Sequence, residues 1–313
     1  MNKGKIVTYT KPKRARRVQL SVPGSSDKIM RKAAESAADH VFLDLEDAVA
    51  PKAKKQARGQ IIEALKTLNW SGKTRAVRIN DLRTPYAYDD IIEVVKGAGQ
   101  YLDTIIIPKA MDARDVWFVE TLLEQLEMDL GLKNKIGIEV LIEEVQGMKN
   151  VNRIAESSSR LEAMIFGMGD YSASQKMDAK SVGGQTGYPG DLWHYARYQM
   201  IVAARSNDVS PIDGPFSDFR NGDAFREECK RALILGCDGK WAIHPAQIPI
   251  ALEVFTPPAE QVAHARKMIA AYREAEAQGL GAIQVDGDMV DAASVRILQN
   301  TIDRAEVGKS VTK

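Results

Sequence analysis

Ile136-Gly137-Ile138-Glu139-Val140-Leu141-Ile142 is an apolar run that ends abruptly at Glu143-Glu144. Ala163-Met164-Ile165-Phe166 ends the same way at Gly167-Met168-Gly169-Asp170. Short runs dominated by β-branched and aliphatic residues read as buried strands. Val145–Ala155, between them, has the composition of a helix. Two strands joined through a helix pair in parallel, because parallel neighbours need a crossover. Glu143 and Asp170, 27 positions apart, therefore close two adjacent strands of one βα unit.

The same unit recurs in both directions. Strand-like runs stand at Val18–Val22, Val41–Leu45, Arg75–Ile79, Thr104–Ile107, Val209–Ile212 and Lys240–Ile243. Helical composition marks Ser26–Ala38, Lys52–Leu68, Pro85–Lys96, Asp112–Leu130, Leu192–Arg205, Asp223–Leu235 and Pro245–Val254. Eight βα units are the count of a closed (β/α)8 barrel, which takes about 250 residues. Phe255–Lys313 is left over, with a helix over Pro258–Gln278, a Gly-rich turn over Gly279–Gly287 and a second helix over Val290–Glu306. The expected organisation is a basic tail over residues 1–16, an α/β barrel over 17–255 and a helical extension over 256–313.

Composition removes several classes of function. The chain has 313 residues, 44% hydrophobic and 27% charged, with a net charge of +1. Near-neutrality argues against a whole-protein polyanion binder such as a nucleic-acid protein. No apolar run approaches the roughly 18 residues of a membrane span. Cys229 and Cys237, the two cysteines, exclude a disulfide framework and a cysteine-rich zinc site, and they fit a reducing, cytoplasmic setting. The tail carries Lys3, Lys5, Lys11, Lys13, Arg14, Arg16 and Arg17 without an acid. It reads as a solvated terminus, or else as a patch for a phosphorylated ligand.

Polar residues gather where the strands stop: Pro23-Gly24, Asp44-Leu45-Glu46-Asp47, Arg78-Ile79-Asn80, Pro108-Lys109, Glu143-Glu144, Asp170, Asp213-Gly214-Pro215 and His244-Pro245. In a parallel barrel all these ends share one mouth, where active sites lie. Seven carboxylates then converge with Arg78 and Lys109 and repel one another unless cations share the space. Oxygen donors without cysteine suit Mg²⁺ or Mn²⁺, with Glu143 and Asp170 as ligands. Taken singly, each acid reads equally well as a helix cap or an ion-pair partner; the set does not. His244 reads as a loop-orienting residue with catalysis as the alternative, and Trp193 and His194 read as packing. Gly183–Asp191 reads as a loop over the mouth or a long connection.

At these residues the chain resembles the citrate lyase β-subunit and malyl-CoA lyase group of the HpcH/HpaI-type aldolases. The likeness runs from about Arg17 to Arg304. It is carried by Arg17–Gly24, Leu43–Val49, Val77–Asn80, Ile107–Lys109, Leu141–Glu144 with Gly147, Phe166–Asp170, Ile243–Gln247 and Gly287–Asp291. The resemblance implies a TIM barrel whose C-terminal extension reaches a neighbouring subunit in a trimer or hexamer. It implies metal-dependent cleavage of C–C bonds in CoA thioesters. Glu143 and Asp170 would hold Mg²⁺, and Glu46 and Asp47 would support it through water. Arg78 would face the thioester oxygen and the 2-oxoacid, and Asp291 of an adjacent subunit would serve as acid/base. Arg17 and Lys28 would approach CoA.

Two departures from the common pattern stand out. Glu144 replaces a frequent threonine, which leaves open which of Glu143 and Glu144 faces inward. The segment Gly187–Tyr195 is more similar to malyl-CoA and β-methylmalyl-CoA lyases than to the citrate lyase β-subunit. The expected reaction is reversible cleavage of malyl-CoA or β-methylmalyl-CoA to acetyl-CoA or propionyl-CoA and glyoxylate. A malyl-CoA thioesterase, a citramalyl-CoA lyase or citrate lyase β-like protein, and a non-catalytic CoA-ester-binding subunit are the alternatives.

Overall fold

The computed structural model describes residues 9–178, 182–183 and 188–309. Eight parallel strands close into a barrel in sequence order: β1 Val18–Pro23, β2 His40–Asp44, β3 Thr74–Arg78, β4 Thr104–Ile107, β5 Gly137–Ile142, β6 Leu161–Phe166, β7 Ser210–Asp213 and β8 Gly239–Ala242. Closure is the pairing of Val18 with Lys240. Helices cover the outside: α1 Asp27–Glu35, α2 Lys54–Thr67, α3 Ala87–Ala98, α4 Ala113–Leu130, α5 Val145–Lys149, α6 Val151–Ala155, α7 Met168–Ser174, α8 His194–Arg205, α9 Gly222–Leu235 and α10 Gln247–Phe255. The helix expected over Val145–Ala155 is two short ones broken at Asn150, whose amide donates to Met111 O and Asp112 and ties the break to the preceding loop. Of the expected loop Gly183–Asp191, residues 184–187 lie outside the described residues.

Strand residues alternate between two cores. Val41, Leu43, Val77, Ile105, Ile138, Val140 and Ile142 face the helices in the large cluster. Phe42, Ala76, Ile106, Leu141, Ala163, Ile165, Ile212 and Trp241 fill the barrel interior. The same alternation carries β5 from Glu139 through Leu141 to Glu143, and β2 from His40 through Phe42 to Asp44. The interior is thus polar below, apolar in the middle and charged at the mouth.

The lower layer changes the expectation for the tail. Residues 1–8 lie outside the described residues, but Tyr9–Arg16 is not a solvated terminus. Tyr9 donates its hydroxyl to Glu162, Lys11 bonds the carbonyls of Asn207 and Asp208, and Arg14 pairs with Asp103 and Glu162. Arg16 is buried against Glu139 at 3.1 Å and Glu162 at 2.5 Å. The barrel floor holds buried carboxylates, and the basic segment supplies their counter-charges.

Glu139 accepts from Arg16, Gln19, His40 and Thr104. Burial alone would raise its pKa, but His40 and Arg16 overcome burial and hold the carboxyl below the ordinary range. A depressed folded pKa stabilises the fold above the ordinary glutamate value near 4.3, and that stability is lost as pH falls. Glu139→Gln should therefore cost about 3–5 kcal/mol at neutral pH, because it leaves buried cationic partners uncompensated. It should also flatten the loss of stability below about pH 4. Urea unfolding across pH checks both; an unchanged acid limb would remove Glu139 from the account.

The C-terminal region begins with α11 Ala259–Ala277 and ends with α12 Ala292–Lys309. Between them the expected Gly-rich turn is an antiparallel hairpin, β9 Ala282–Val285 and β10 Asp288–Asp291. Its two-residue turn, Asp286-Gly287, has φ of 53° and 94°. Left-handed values at both positions match the right-handed twist of the strands, which is why Asp-Gly forms such turns. Val290 packs on Met268 and Tyr272, and Ile302 on Ala265 and Ile269.

Candidate active site at the barrel mouth

Strand register builds the site. Asp44 and Arg78 are the last residues of adjacent strands and are register partners. Arg78 Nε and Nη2 donate to Asp44 Oδ1 and Oδ2 at 2.7 and 2.6 Å, and Nη1 stands 3.0 Å from Glu46 Oε2. The guanidinium lies over the Phe42 and Trp241 rings, 5.8 and 5.5 Å from their centroids. Burial would lower the Arg78 pKa, but Asp44 overrides it, so the group stays cationic. Of five N–H donors, at least two remain for a ligand. Asp44 also accepts from the amides of Glu46 and Ala48, and Lys54 Nζ donates to the carbonyls of Leu45 and Glu46. The loop carrying Glu46 and Asp47 is therefore held from both sides.

Glu143 is buried and Glu144 is not. Parity with Glu139 and Leu141 turns Glu143 inward, while Glu144 accepts from the Ser174 hydroxyl on α7. Glu143 Oε1 accepts the amide of Lys109 at 2.9 Å. A Cβ on Gly167 would lie 2.5 Å from Glu143 Oε2, so only glycine lets β6 pass that carboxylate. Burial pushes the Glu143 carboxyl up to about 8; Arg78 opposes the shift, and Glu46 and Asp170 add to it. Burial likewise raises Glu46, against Arg78 and Lys109. Asp170, in the first turn of α7, has a side chain 44% exposed.

Lys109 joins these acids. Its Nζ bonds Glu46 Oε1 and lies 3.7 Å from Asp47 and 3.9 Å from Asp170. Five of the seven expected carboxylates thus share the Arg78 and Lys109 cations. The other two are Glu144 and Asp213, whose carboxylate is buried between Arg197 and Lys240.

The donor set fits a hard dication. Among the described residues no group of three or more His, Cys, Asp or Glu converges as a complete cage. Mg²⁺ does not require one: it commonly takes one or two carboxylates and completes its sphere with water and substrate oxygens. Glu143 and Asp170, close enough that the Asp170 charge helps to raise the Glu143 pKa, could supply such a pair. Glu46 Oε2 is a buried oxygen with no well-formed hydrogen bond of its own.

The remaining sequence expectations separate. Lys28 is exposed in the first turn of α1, on the mouth side of β1. Arg17 is at the opposite end. It precedes β1, pairs with Asp39 at 2.7 Å and bonds Thr256 Oγ1 at 2.9 Å. There its ion pair ties the start of β1 to β2. Asp291 caps α12 by accepting from the amide and hydroxyl of Ser294, which hold its carboxyl below the usual range. Nothing among the described interactions of Arg78, Glu143 or Lys109 involves Asp291. His244 stacks on Phe219 at 4.5 Å and accepts from Ala246 N, as a loop-orienting residue does. Trp193 is buried with Nε1 on the Ser172 hydroxyl. Asp44 and Gly167 are the residues that sequence reasoning undervalued. The signal for Asp44 was its place opposite Arg78 at neighbouring strand ends.

Comparisons with known proteins place the chain in a family. Residues 17–245 match the family model described as HpcH/HpaI aldolase/citrate lyase. The chain is 42% identical over 308 residues to the L-malyl-CoA/β-methylmalyl-CoA lyase of Rhodobacter capsulatus, covering 95% of this chain and 97% of that protein. It is 33% identical to the (3S)-malyl-CoA thioesterase of Cereibacter sphaeroides, covering 92% and 93%. The crystal structure of CitE from Mycobacterium tuberculosis with magnesium, acetoacetate and coenzyme A superposes with a TM-score of 0.74 at 26% identity, covering 94% of this chain and all of that one. This chain belongs to the HpcH/HpaI aldolase/citrate lyase family.

Proposed function

We propose that this protein is a Mg²⁺-dependent carbon–carbon lyase. It reversibly cleaves malyl-CoA or β-methylmalyl-CoA to acetyl-CoA or propionyl-CoA and glyoxylate, in the cytoplasm. The observation that carries the reading is the Asp44–Arg78 fork beside the Glu143 and Asp170 carboxylates at one barrel mouth. The 42% identity to a lyase of that name supports the substrate class.

Cleavage breaks the bond between the thioester's α-carbon and the hydroxyl-bearing carbon. The hydroxyl loses its proton, glyoxylate leaves, and the thioester is left as an enolate until its carbon is protonated. Glu143 and Asp170 would hold Mg²⁺, which when bound would supply Lewis acidity for the departing glyoxylate. The free N–H groups of Arg78 face the developing enolate oxygen, and Asp44 prevents the fork from rotating away. Such preorganised charge is usually the largest catalytic contribution. Asp291 of a neighbouring subunit in a trimer or hexamer moves the proton at the α-carbon, and Lys28 meets the CoA phosphates. Asp291→Asn should then abolish α-proton exchange of acetyl-CoA, and mixing it with an Arg78 variant should restore part of the activity. Failure of mixed oligomers to recover any turnover would place the base in the same subunit.

Product mass tests the function directly. Purified protein with Mg²⁺, glyoxylate and acetyl-CoA or propionyl-CoA should yield malyl-CoA or β-methylmalyl-CoA by LC–MS. The likeness to a malyl-CoA thioesterase favours one second reading. Under that reading malyl-CoA would give free CoA and malate without acetyl-CoA.

A further inference from the structure

Lys109 is built into the mouth in an unusual way. It closes the β4 end with φ of 48°, a left-handed conformation that a lysine adopts at a cost. That conformation lets one residue serve two acids. Its amide donates to Glu143, while its side chain turns to Glu46, Asp47 and Asp170. With Arg78 committed to Asp44 and to one oxygen of Glu46, the Lys109 ammonium stands among four carboxylates that arrive from the ends of β2, β5 and β6. These are the groups expected to ligate or support a dication. A cation within 4 Å of Asp170 and bonded to Glu46 both screens their mutual repulsion and repels any second cation brought to the same oxygens.

We propose that Lys109 is a tethered counter-ion that competes with the divalent cation for Asp170 and Glu46, so that metal binding displaces the ammonium. The inference rests on the metal site proposed above. Its function is to set metal affinity: Lys109 holds the carboxylates in place and weakens the grip on Mg²⁺. A lysine with a merely structural role predicts the opposite sign, because its loss would scatter the ligands and weaken binding.

Mn²⁺ binding followed by EPR, and Mg²⁺ binding by calorimetry, separate these cases without reference to turnover. Lys109→Met removes the charge and keeps the length. Lys109→Gly also removes the charge, relieves the left-handed backbone and keeps the amide on Glu143, so it guards against a folding defect. Both should bind Mn²⁺ about tenfold or more tightly than wild type, and Lys109→Arg should stay close to wild type. In the unaltered protein, saturating Mg²⁺ should raise reductive methylation of Lys109 severalfold, read by mass spectrometry. Equal or weaker binding by both neutral variants, or methylation unchanged by Mg²⁺, overturns the counter-ion role while leaving the metal site standing. If wild type itself binds neither ion, the metal site falls and the counter-ion role falls with it.

Discussion

Glu143→Ala and Asp170→Ala should each lower metal-dependent turnover by on the order of 10³-fold or more, with the barrel intact by circular dichroism. A Lewis-acid contribution is worth several kcal/mol of transition-state charge, and each 1.36 kcal/mol is tenfold in rate. The two variants should differ in stability. Glu143 is buried, accepts the Lys109 amide and lies against Gly167, so its truncation leaves a cavity and an unpaired N–H. Asp170 is half-exposed on the first turn of a short helix, and its loss should scarcely move the melting temperature. Turnover comparable to wild type in either variant would falsify the metal assignment.

Arg78→Lys should cost about 10³-fold in kcat while binding of CoA thioester changes much less. Lysine keeps the charge but not the planar fork. In the native site that fork makes two parallel bonds to Asp44, rests against Phe42 and Trp241 and still presents N–H groups to the mouth. An ammonium can satisfy Asp44 or reach the substrate oxygen, not both. Loss of one oxyanion donor typically costs 10²–10³-fold, and the misplaced partner adds to it. Kinetics with malyl-CoA, alongside direct binding of a non-cleaved CoA ester, check the split. A rise in KM with kcat untouched would recast Arg78 as a binding residue only.

These outcomes depend on features of unequal legibility. The eight strands were readable because each is an apolar run that ends in polar residues and is followed by helix-forming sequence. The mouth was readable because parallel strands bring their C-terminal ends together. The inward choice of Glu143 over Glu144 was present as alternation with Glu139 and Leu141, but alternation has no direction until one member is known to face inside. The hairpin Ala282–Asp291 carried its signal in Asp286-Gly287, flanked by short alternating strands. The floor of the barrel was not readable. A stretch with seven basic residues resembles a solvated tail unless the buried partners of Arg14 and Arg16 are known, and these, Glu139 and Glu162, lie more than a hundred residues away.

The amino-acid order alone determined the (β/α)8 architecture, the convergence of acids with Arg78 and the family, because local periodicity and short motifs survive without coordinates. Tertiary structure alone decided which charges touch. It paired Arg78 with Asp44, placed Lys109 among Glu46, Asp47 and Asp170, and sent Arg17 to the opposite end from the mouth. The physical reason is range. Hydrophobic alternation acts over a few neighbouring residues, whereas a charge chooses its partner by distances of a few ångströms that only barrel closure and strand register establish.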